Sequence, residues 1–549
     1  MQKKFSTKPQ PHIRLFSLLK AEHADLSIIV TFSVVTGLLY LATPLAVDAV
    51  VQNIAFGGQQ QVYVQTLLVF SFALLVFLLL LSMVSAAQHF VAELVQQRIF
   101  VRISTDLAYR LPRLNLRDKE QSKPQELINR FLDVTTLQKS SALILLDGVN
   151  VVLSSGIGML VLAFYHPFLL AFDFVLVVCL LFVLFVLGKK GAESSIRESY
   201  AKHTLAGWLE QIILFPLTFK MPTGQKLALS KASALVDNYL ASRKSHYRVL
   251  LRQILGLLSI QAFASAGLLA VGGWLVLNGE LTLGQLVASE LIVSAIVSAL
   301  VSLGKHIEIW YDALAATDKL GSLVDLQIER QSGERNTPPN SAVEVNLAEI
   351  QFSHQKTVFD DFSLHISPGE AVGLTGAPGA GTTTLFEILY GLRQVESGAV
   401  LLDGTELKQW NLSAIRSATT LLHQPEAFEG TIAENLRLED DSLKTDRLRT
   451  ILDQVGLLTR IQKLPRGIET VIEAGGLPLT ESELRLLTLA RALASDPKLI
   501  LVDKLLDGMS EKTFDRAIDL LFHKDRAWTL IISTQASHLL ERCDRIVRL

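Results

Sequence analysis

The residues most suggestive of chemistry form the stretch "GLTGAPGAGTTTLFEILYGL", Gly373 to Leu392. Gly376, four residues and then Gly381 reproduce the rhythm of a loop whose backbone N–H groups cradle phosphates at the start of a helix. Such a loop ordinarily continues with a lysine reaching the β- and γ-phosphates, and here that position is Thr382. The hydroxyls of Thr383 and Thr384 follow it. The loop therefore keeps the means to surround an anion and lacks the point charge that would hold it.

The elements that would position this loop follow from patterning. "AVGLTG" precedes it as a strand, and apolar strand-like runs ("AVLLDG", "KLILVDK", "WTLIIST") alternate with helical stretches from about Val343 onward, as in an α/β sheet domain. The polar, proline-bearing segment "QSGERNTPPNSA", 331–342, reads as a linker separating this domain from what comes before.

The preceding part belongs to a membrane. Half of the 549 residues are hydrophobic and only 19% are charged, with a mean hydropathy of +0.37. Uncharged runs long enough to cross a bilayer as helices begin at about 26–47 and 62–87. Further runs lie near 148–164, 168–188, 254–277 and 281–303, giving six spans. Short connections at 57–61, 165–167 and 278–280 lack Lys and Arg, whereas the N-terminus, 98–139 and 189–248 are rich in both, which puts both termini in the cytoplasm. The two long polar stretches keep helical periodicity, so the span helices should extend well beyond the membrane. Asp173 and Glu290 lie within or near spans. Intramembrane acids are functional candidates, against which stands the plainer reading of supporting residues at a helix end or facing a wet cavity.

Several function classes drop out. A net charge of −2 gives no electrostatic reason for a nucleic-acid partner. Two cysteines, Cys179 and Cys543, cannot build a disulfide framework or metal cluster. The basic N-terminal segment has no short apolar core with a cleavage site, so no removable signal peptide is expected.

Six spans with long extensions followed by an α/β nucleotide-binding domain resemble a half-transporter of the ATP-binding-cassette exporter family, over about residues 14 to 549. The expected layout is a cytoplasmic segment 1–25, a membrane domain 26–330, the linker 331–342 and a nucleotide-binding domain 343–549. In that family two halves dimerise and sandwich ATP and Mg between the phosphate loop of one nucleotide domain and the "LSGGQ" signature of the other. Coupling helices, expected here near 110–122 and 205–218, pass closure to the spans.

The resemblance also assigns residues. His354 stands where an aromatic residue stacks on adenine; Gly376, Gly379 and Gly381 form the loop; Thr383, Gln424 and Asp503 would hold magnesium. The groups that perform chemistry depart from the pattern. The loop lysine is Thr382, the water-polarising glutamate after Asp503 is Lys504, and the switch histidine is Gln535. The signature is Leu479, Thr480, Glu481, Ser482 and Glu483, whose two acids are expected to bring negative charge toward a polyphosphate. A cation at 504 cannot accept a proton from water. The resemblance thus implies a nucleotide domain kept for its shape, with ATP and Mg bound weakly or not at all and no catalytic residue intact.

Two assemblies follow: the degenerate half of an exporter paired with an ATPase-competent half, or a homodimeric pseudo-transporter serving as scaffold or regulator. In the homodimer, Lys504 of one copy would face Glu481 and Glu483 of the other. The first loop, "RFLDVTTLQKSSALILLDG", looks closest to exporters of the haemolysin-secretion type. That implies peptide or protein cargo, a bacterial inner membrane and a periplasmic adaptor. With about 25 residues before the first span, no leader-peptide-cleaving domain is expected.

Overall fold

The structure is a computed structural model. It describes residues 10–549 apart from 21, 57–59, 116–129, 355, 439, 441 and 508–510, and side chains are not described at 53–56, 60–63, 66, 300–305, 354, 356 and 511–514. The chain divides into two compact units, Met1–Ile328 and Glu329–Leu549.

The first unit is helical: α1 (Pro11–Lys20), α2 (His23–Tyr40), α3 (Ala42–Phe56), α4 (Gln60–Arg110), α5 (Asp133–Leu143), α6 (Val149–Tyr165), α7 (Pro167–Leu181), α8 (Gly191–Leu214), α9 (Pro216–Lys220), α10 (Pro222–Leu277) and α11 (Leu283–Val324). Among the described residues five helical stretches are long and apolar enough to cross a membrane, and a shorter apolar run, Leu283–Ala299, opens α11. At 1.5 Å per residue, the 51 residues of α4 and the 56 of α10 make rods of roughly 75–85 Å, far longer than a bilayer core requires.

Local chemistry sets the breaks. The first span, expected as one helix over 26–47, is interrupted at Leu41. Pro44 has no N–H to donate to the carbonyl four residues back, which stops the α2 ladder there. Pro167 opens α7, and the His166 ring accepts a hydrogen bond from Phe168 N at 3.2 Å, so "YHP" makes the expected sharp turn. Thr282 and Gln285 form a reciprocal capping box at the start of α11. The membrane unit carries apolar side chains outward: Phe72, Phe164, Phe174 and Phe185 are all exposed, while Gln88, Ser33 and Thr36 are buried. Lipid can solvate the first set; the second must find partners within the bundle.

One expectation is corrected here. The turn between α8 and α10 is Phe215–Met221, carrying the short α9, rather than 205–218; most of the latter is still α8. Pro216 and Pro222 each open a new helix and fix where the chain turns. The other expected coupling segment, 110–122, lies beyond Asn115 outside the described residues. The segment 331–342, expected as a linker, falls within the second unit and is bonded to it. Arg330 donates to the carbonyls of Leu407 and Lys408 at 2.6 and 2.7 Å, and Glu334 and Arg335 donate backbone N–H groups to Gln409 O. The Arg335 guanidinium lies 4.3 Å above the buried Trp410 ring, a cation–π contact that a mobile linker would not keep.

The second unit is α/β. An antiparallel sheet runs β2 (Lys356–Ile366), β1 (Val345–His354), β4 (Ser397–Leu402), β5 (Thr405–Glu406). Beside it a five-stranded parallel sheet runs β11 (Arg545–Arg548), β3 (Ala371–Thr375), β10 (Thr529–Ser533), β9 (Leu499–Asp503), β6 (Thr419–Leu422). A two-stranded ribbon joins β7 (Gly430–Thr431) to β8 (Val471–Ile472). Helix α12 (Thr382–Leu389) follows β3, and α13 (Glu481–Ala494) precedes β9. The central strands β9 and β10 are buried along their whole length, which is why they read as continuous apolar runs.

Candidate functional site

In a parallel sheet the loops that bind ligands leave from the carboxyl ends of the strands, and here those ends converge. Ser533 of β10 pairs with Leu374 of β3 on one side and Asp503 of β9 on the other, and Leu422 of β6 pairs with Val502. Four segments therefore emerge side by side: the glycine loop after β3, Gln535 after β10, Lys504 after β9, and Gln424 after β6.

The glycine loop has the geometry its sequence promises. Gly379 and Gly381 have φ of +90° and +98°, values that favour glycine. A Cβ on Gly381 would also stand 2.5 Å from Val358 Cγ1. Gly381 is the N-cap of α12, and Leu385 N donates to Gly381 O at 2.8 Å. The first N–H groups of a helix have no partner within it, so those of Thr382, Thr383 and Thr384 suit an anion. All three threonines are half-buried.

Asp503 is 1% exposed, and its Oδ2 receives two contacts: the Thr383 hydroxyl donates at 2.6 Å, and His423 Nδ1 lies at 2.8 Å. Oδ1 is buried without a hydrogen-bond partner among the described residues. His423 had no role in the sequence reading. The available signal was its place immediately before Gln424, at the end of a strand adjoining β9. Gln424 and Gln535 are exposed. Lys504 is exposed with φ of +56°, and its N–H donates to Ser533 O at 3.0 Å. Its ammonium forms no ion pair among the described residues. His354 ends β1, and its side chain lies outside the described set.

The signature residues start α13. Leu479 is buried; Thr480, Glu481 and Ser482 are exposed. Here the expected charge presentation is corrected for one of the two acids. Glu483 accepts from Thr480 N at 2.8 Å while Thr480 Oγ1 accepts from Glu483 N, a capping box, and Arg460 Nε donates to Glu483 at 2.9 Å. Its carboxylate is thus taken up within the chain, because a helix start needs an acceptor and a glutamate at the third position supplies it. Glu481 stays 72% exposed with Arg485 at 2.7 Å. Arg485 also donates to the carbonyls of Leu505 and Asp507, tying α13 to the segment after β9.

Outside this site, Asp173 in α7 is buried with neither carboxylate oxygen hydrogen-bonded among the described residues. Glu290 in α11 has one buried oxygen without a hydrogen bond among the described residues. No group of three or more metal-ligating side chains occurs among the described residues.

The ABC transporter transmembrane region matches residues 26–300 and the ABC transporter domain matches 359–506. The chain belongs to the ABC transporter family, and it combines one membrane domain with one nucleotide domain, the layout of a half-transporter. Among curated relatives, the mycobactin import ATP-binding/permease protein IrtB of Mycolicibacterium thermoresistibile is 23% identical over 366 residues, 66% of this chain and 63% of that protein. The ATP-dependent lipid A-core flippase of Pectobacterium atrosepticum is 28% identical over 242 residues, 43% and 41% of the two chains. The chain spans less than two thirds of the length of these relatives. A solved ATP-bound bacterial Atm1-family exporter has the same fold, with a TM-score of 0.86 at 18% identity over 96% of this chain and 93% of that one.

Domains of this family bind ATP with magnesium. The residues present fit that group in part. The loop N–H groups would hold phosphate oxygens, and Thr383 with the unbonded Oδ1 of Asp503 would face a cation. His423 already holds Oδ2, and the lysine charge is missing. When bound, the nucleotide supplies a phosphoanhydride for cleavage; this chain supplies the cradle and a hydroxyl–carboxylate pair. At 504 and 535 it presents an ammonium and an amide.

Proposed function

We propose that this chain is the catalytically degenerate half of an exporter-type ABC transporter, working with a second half that carries the intact ATPase groups. The observation that carries this reading is the arrangement at the strand ends. Thr382, Lys504 and Gln535 occupy the places of lysine, glutamate and histidine on an otherwise complete parallel sheet, glycine loop and helix α12. Glutamate at such a place orients and deprotonates water, and an ammonium can do neither. The fold is retained because the domain must still pack and dock when it does not turn over.

For cargo, the membrane unit holds a cavity of about 620 Å³. Among the described residues its lining includes Gln88, Asn150, Ser154, Ser155, Asp147 and His306 amid apolar side chains, with no lysine or arginine. The two relatives are named for mycobactin and for lipid A-core. A neutral or weakly cationic amphipathic molecule fits such a lining better than the peptide or protein cargo, with periplasmic adaptor, that the first loop suggested.

Gentle purification from its native membrane tests the assembly. The expected result is co-isolation of a second half-transporter with an intact loop lysine and catalytic glutamate. ATPase of this chain alone comparable to that of the pair would overturn it. One observation favours the homodimeric alternative: Lys504 and Glu481 are both exposed and oppositely charged. Disulfide trapping of Lys504→Cys with Glu481→Cys, in the purified chain alone, decides between them.

A further inference from the structure

The cytoplasm-facing extension predicted for the membrane unit holds a second cavity, of about 190 Å³, between α8, α10 and α11. Among the described residues its lining carries the cations Arg130, Lys231 and Lys319 and the rings of Tyr200 and Trp208. Glu210 is the one carboxylate on its described lining. Lys319 is 1% exposed and is matched by Asp133 Oδ2 at 3.3 Å, by Ser199 O at 3.1 Å and by contact with the His203 ring. Arg130 Nη1 donates to Ser322 Oγ at 2.9 Å. Lys231 differs. Its Nζ lies 4.0 Å over the Trp208 ring, and no carboxylate lies within ion-pair distance among the described residues. Burial, with Lys202 and Arg130 adding to it, brings Lys319 down to about 8 despite Asp133.

Trp208 connects this cavity to the turn. Its Nε1 donates to Ala228 O at 3.2 Å, and Phe219 of α9 packs edge-on against its ring at 5.5 Å. It therefore braces α8, α9 and α10 at once.

We propose that this cavity binds a small soluble phosphate-bearing anion, held by Lys231 and Arg130 against Trp208, and that occupancy stiffens the turn Phe215–Met221. Lys231 and Arg130 both line this cavity, an ammonium and a guanidinium can each give a phosphate charge-assisted hydrogen bonds, and the Trp208 ring holds the ammonium in place from one side. Tyr200 and Trp208 lie roughly 14 and 26 Å along α8 from its start, at 1.5 Å per residue. That distance from the last apolar span favours a soluble anion over a lipid headgroup.

The test uses the full chain in phosphatidylcholine nanodiscs, titrated with inorganic pyrophosphate by calorimetry, with hydrogen exchange followed over 215–221. Saturable binding is expected, with slower exchange in that turn. Lys231→Gln should weaken binding about tenfold, equivalent to about 1.4 kcal/mol, and abolish the added protection. Lys231→Arg should keep affinity within about threefold, since charge is retained. Thr382→Glu, which places a negative charge in the glycine loop and opposes anion binding there, should leave the Lys231-dependent protection over 215–221 in place. Three results overturn the proposal: no saturable binding at millimolar pyrophosphate; binding lost in Thr382→Glu yet kept in Lys231→Gln; or competition by phosphatidylglycerol nanodiscs that removes pyrophosphate binding, which would make this a headgroup site. Unchanged melting of the variants guards against unfolding as the cause.

Discussion

His423 Nδ1 and Asp503 Oδ2 stand 2.8 Å apart, with the Thr383 hydroxyl on the same oxygen at 2.6 Å. A side chain from the end of β6 thus reaches the carboxylate that the family uses beside magnesium. A metal at Oδ1 and the imidazole at Oδ2 would compete for the charge of one carboxylate.

That competition is measurable. In His423→Ala, the gain in nucleotide affinity on adding magnesium, followed with a fluorescent ATP analogue, should exceed that of the parent by about tenfold. A hydrogen bond to a charged carboxylate contributes on the order of 1.5 kcal/mol. Equal magnesium effects in the two proteins would show that the imidazole does not compete.

Restoring one group should not restore turnover. Lys504→Glu by itself is expected to leave phosphate release at background, because Thr382 still lacks the charge that positions the phosphates. Only variants that also carry Thr382→Lys and Gln535→His are expected to rise. A single-site rescue would argue that the loop alone positions nucleotide.

The start of α13 separates structural from exposed charge. Glu483→Ala removes half a capping box and the Arg460 contact, and should lower the stability of the nucleotide domain by about 1–2 kcal/mol. Glu481→Ala, at a 72% exposed carboxylate, should stay within about 0.5 kcal/mol. Thermal melts of the full chain, compared variant by variant, check the difference.

Lys319 gives a pH prediction. Burial lowers it from 10.5 to about 8 in the folded protein, so between those values the unfolded chain holds a proton that the native state has released. Stability then rises with pH across that window, and below about pH 8 the group opposes folding. Subtracting the melting profile of Lys319→Gln from that of the parent between pH 7.5 and 10, a range chosen to bracket that window, should reveal a positive slope. A flat difference would mean that the ammonium stays charged in the fold.

Much of this was legible beforehand. Glycines at 376 and 381 between an apolar run and a helix fix a cradle through local sterics alone, and uncharged runs of span length fix a membrane domain through the absence of water. Helix ends were partly readable: Pro167, Pro216 and Pro222 each open a helix, though the expected coupling segment fell several residues early. Pro44 also interrupts the first span, which hydropathy cannot register because proline counts there as an ordinary residue.

What the chain order could not state is who meets whom across the sheet. His423 and Asp503 are 80 residues apart, and only the parallel pairing of β6 with β9 brings them onto one oxygen. Glu483 looked like a charge aimed at a polyphosphate, yet a helix start and Arg460, 23 residues earlier, claim it. Lys231 and Trp208 likewise share a cavity because α8 and α10 fold back at Pro216 and Pro222. Local sterics and solvent set the elements one by one. The electrostatic partnerships were decided by tertiary packing, since Coulomb and hydrogen-bond energies depend on distances that separation along a chain does not encode.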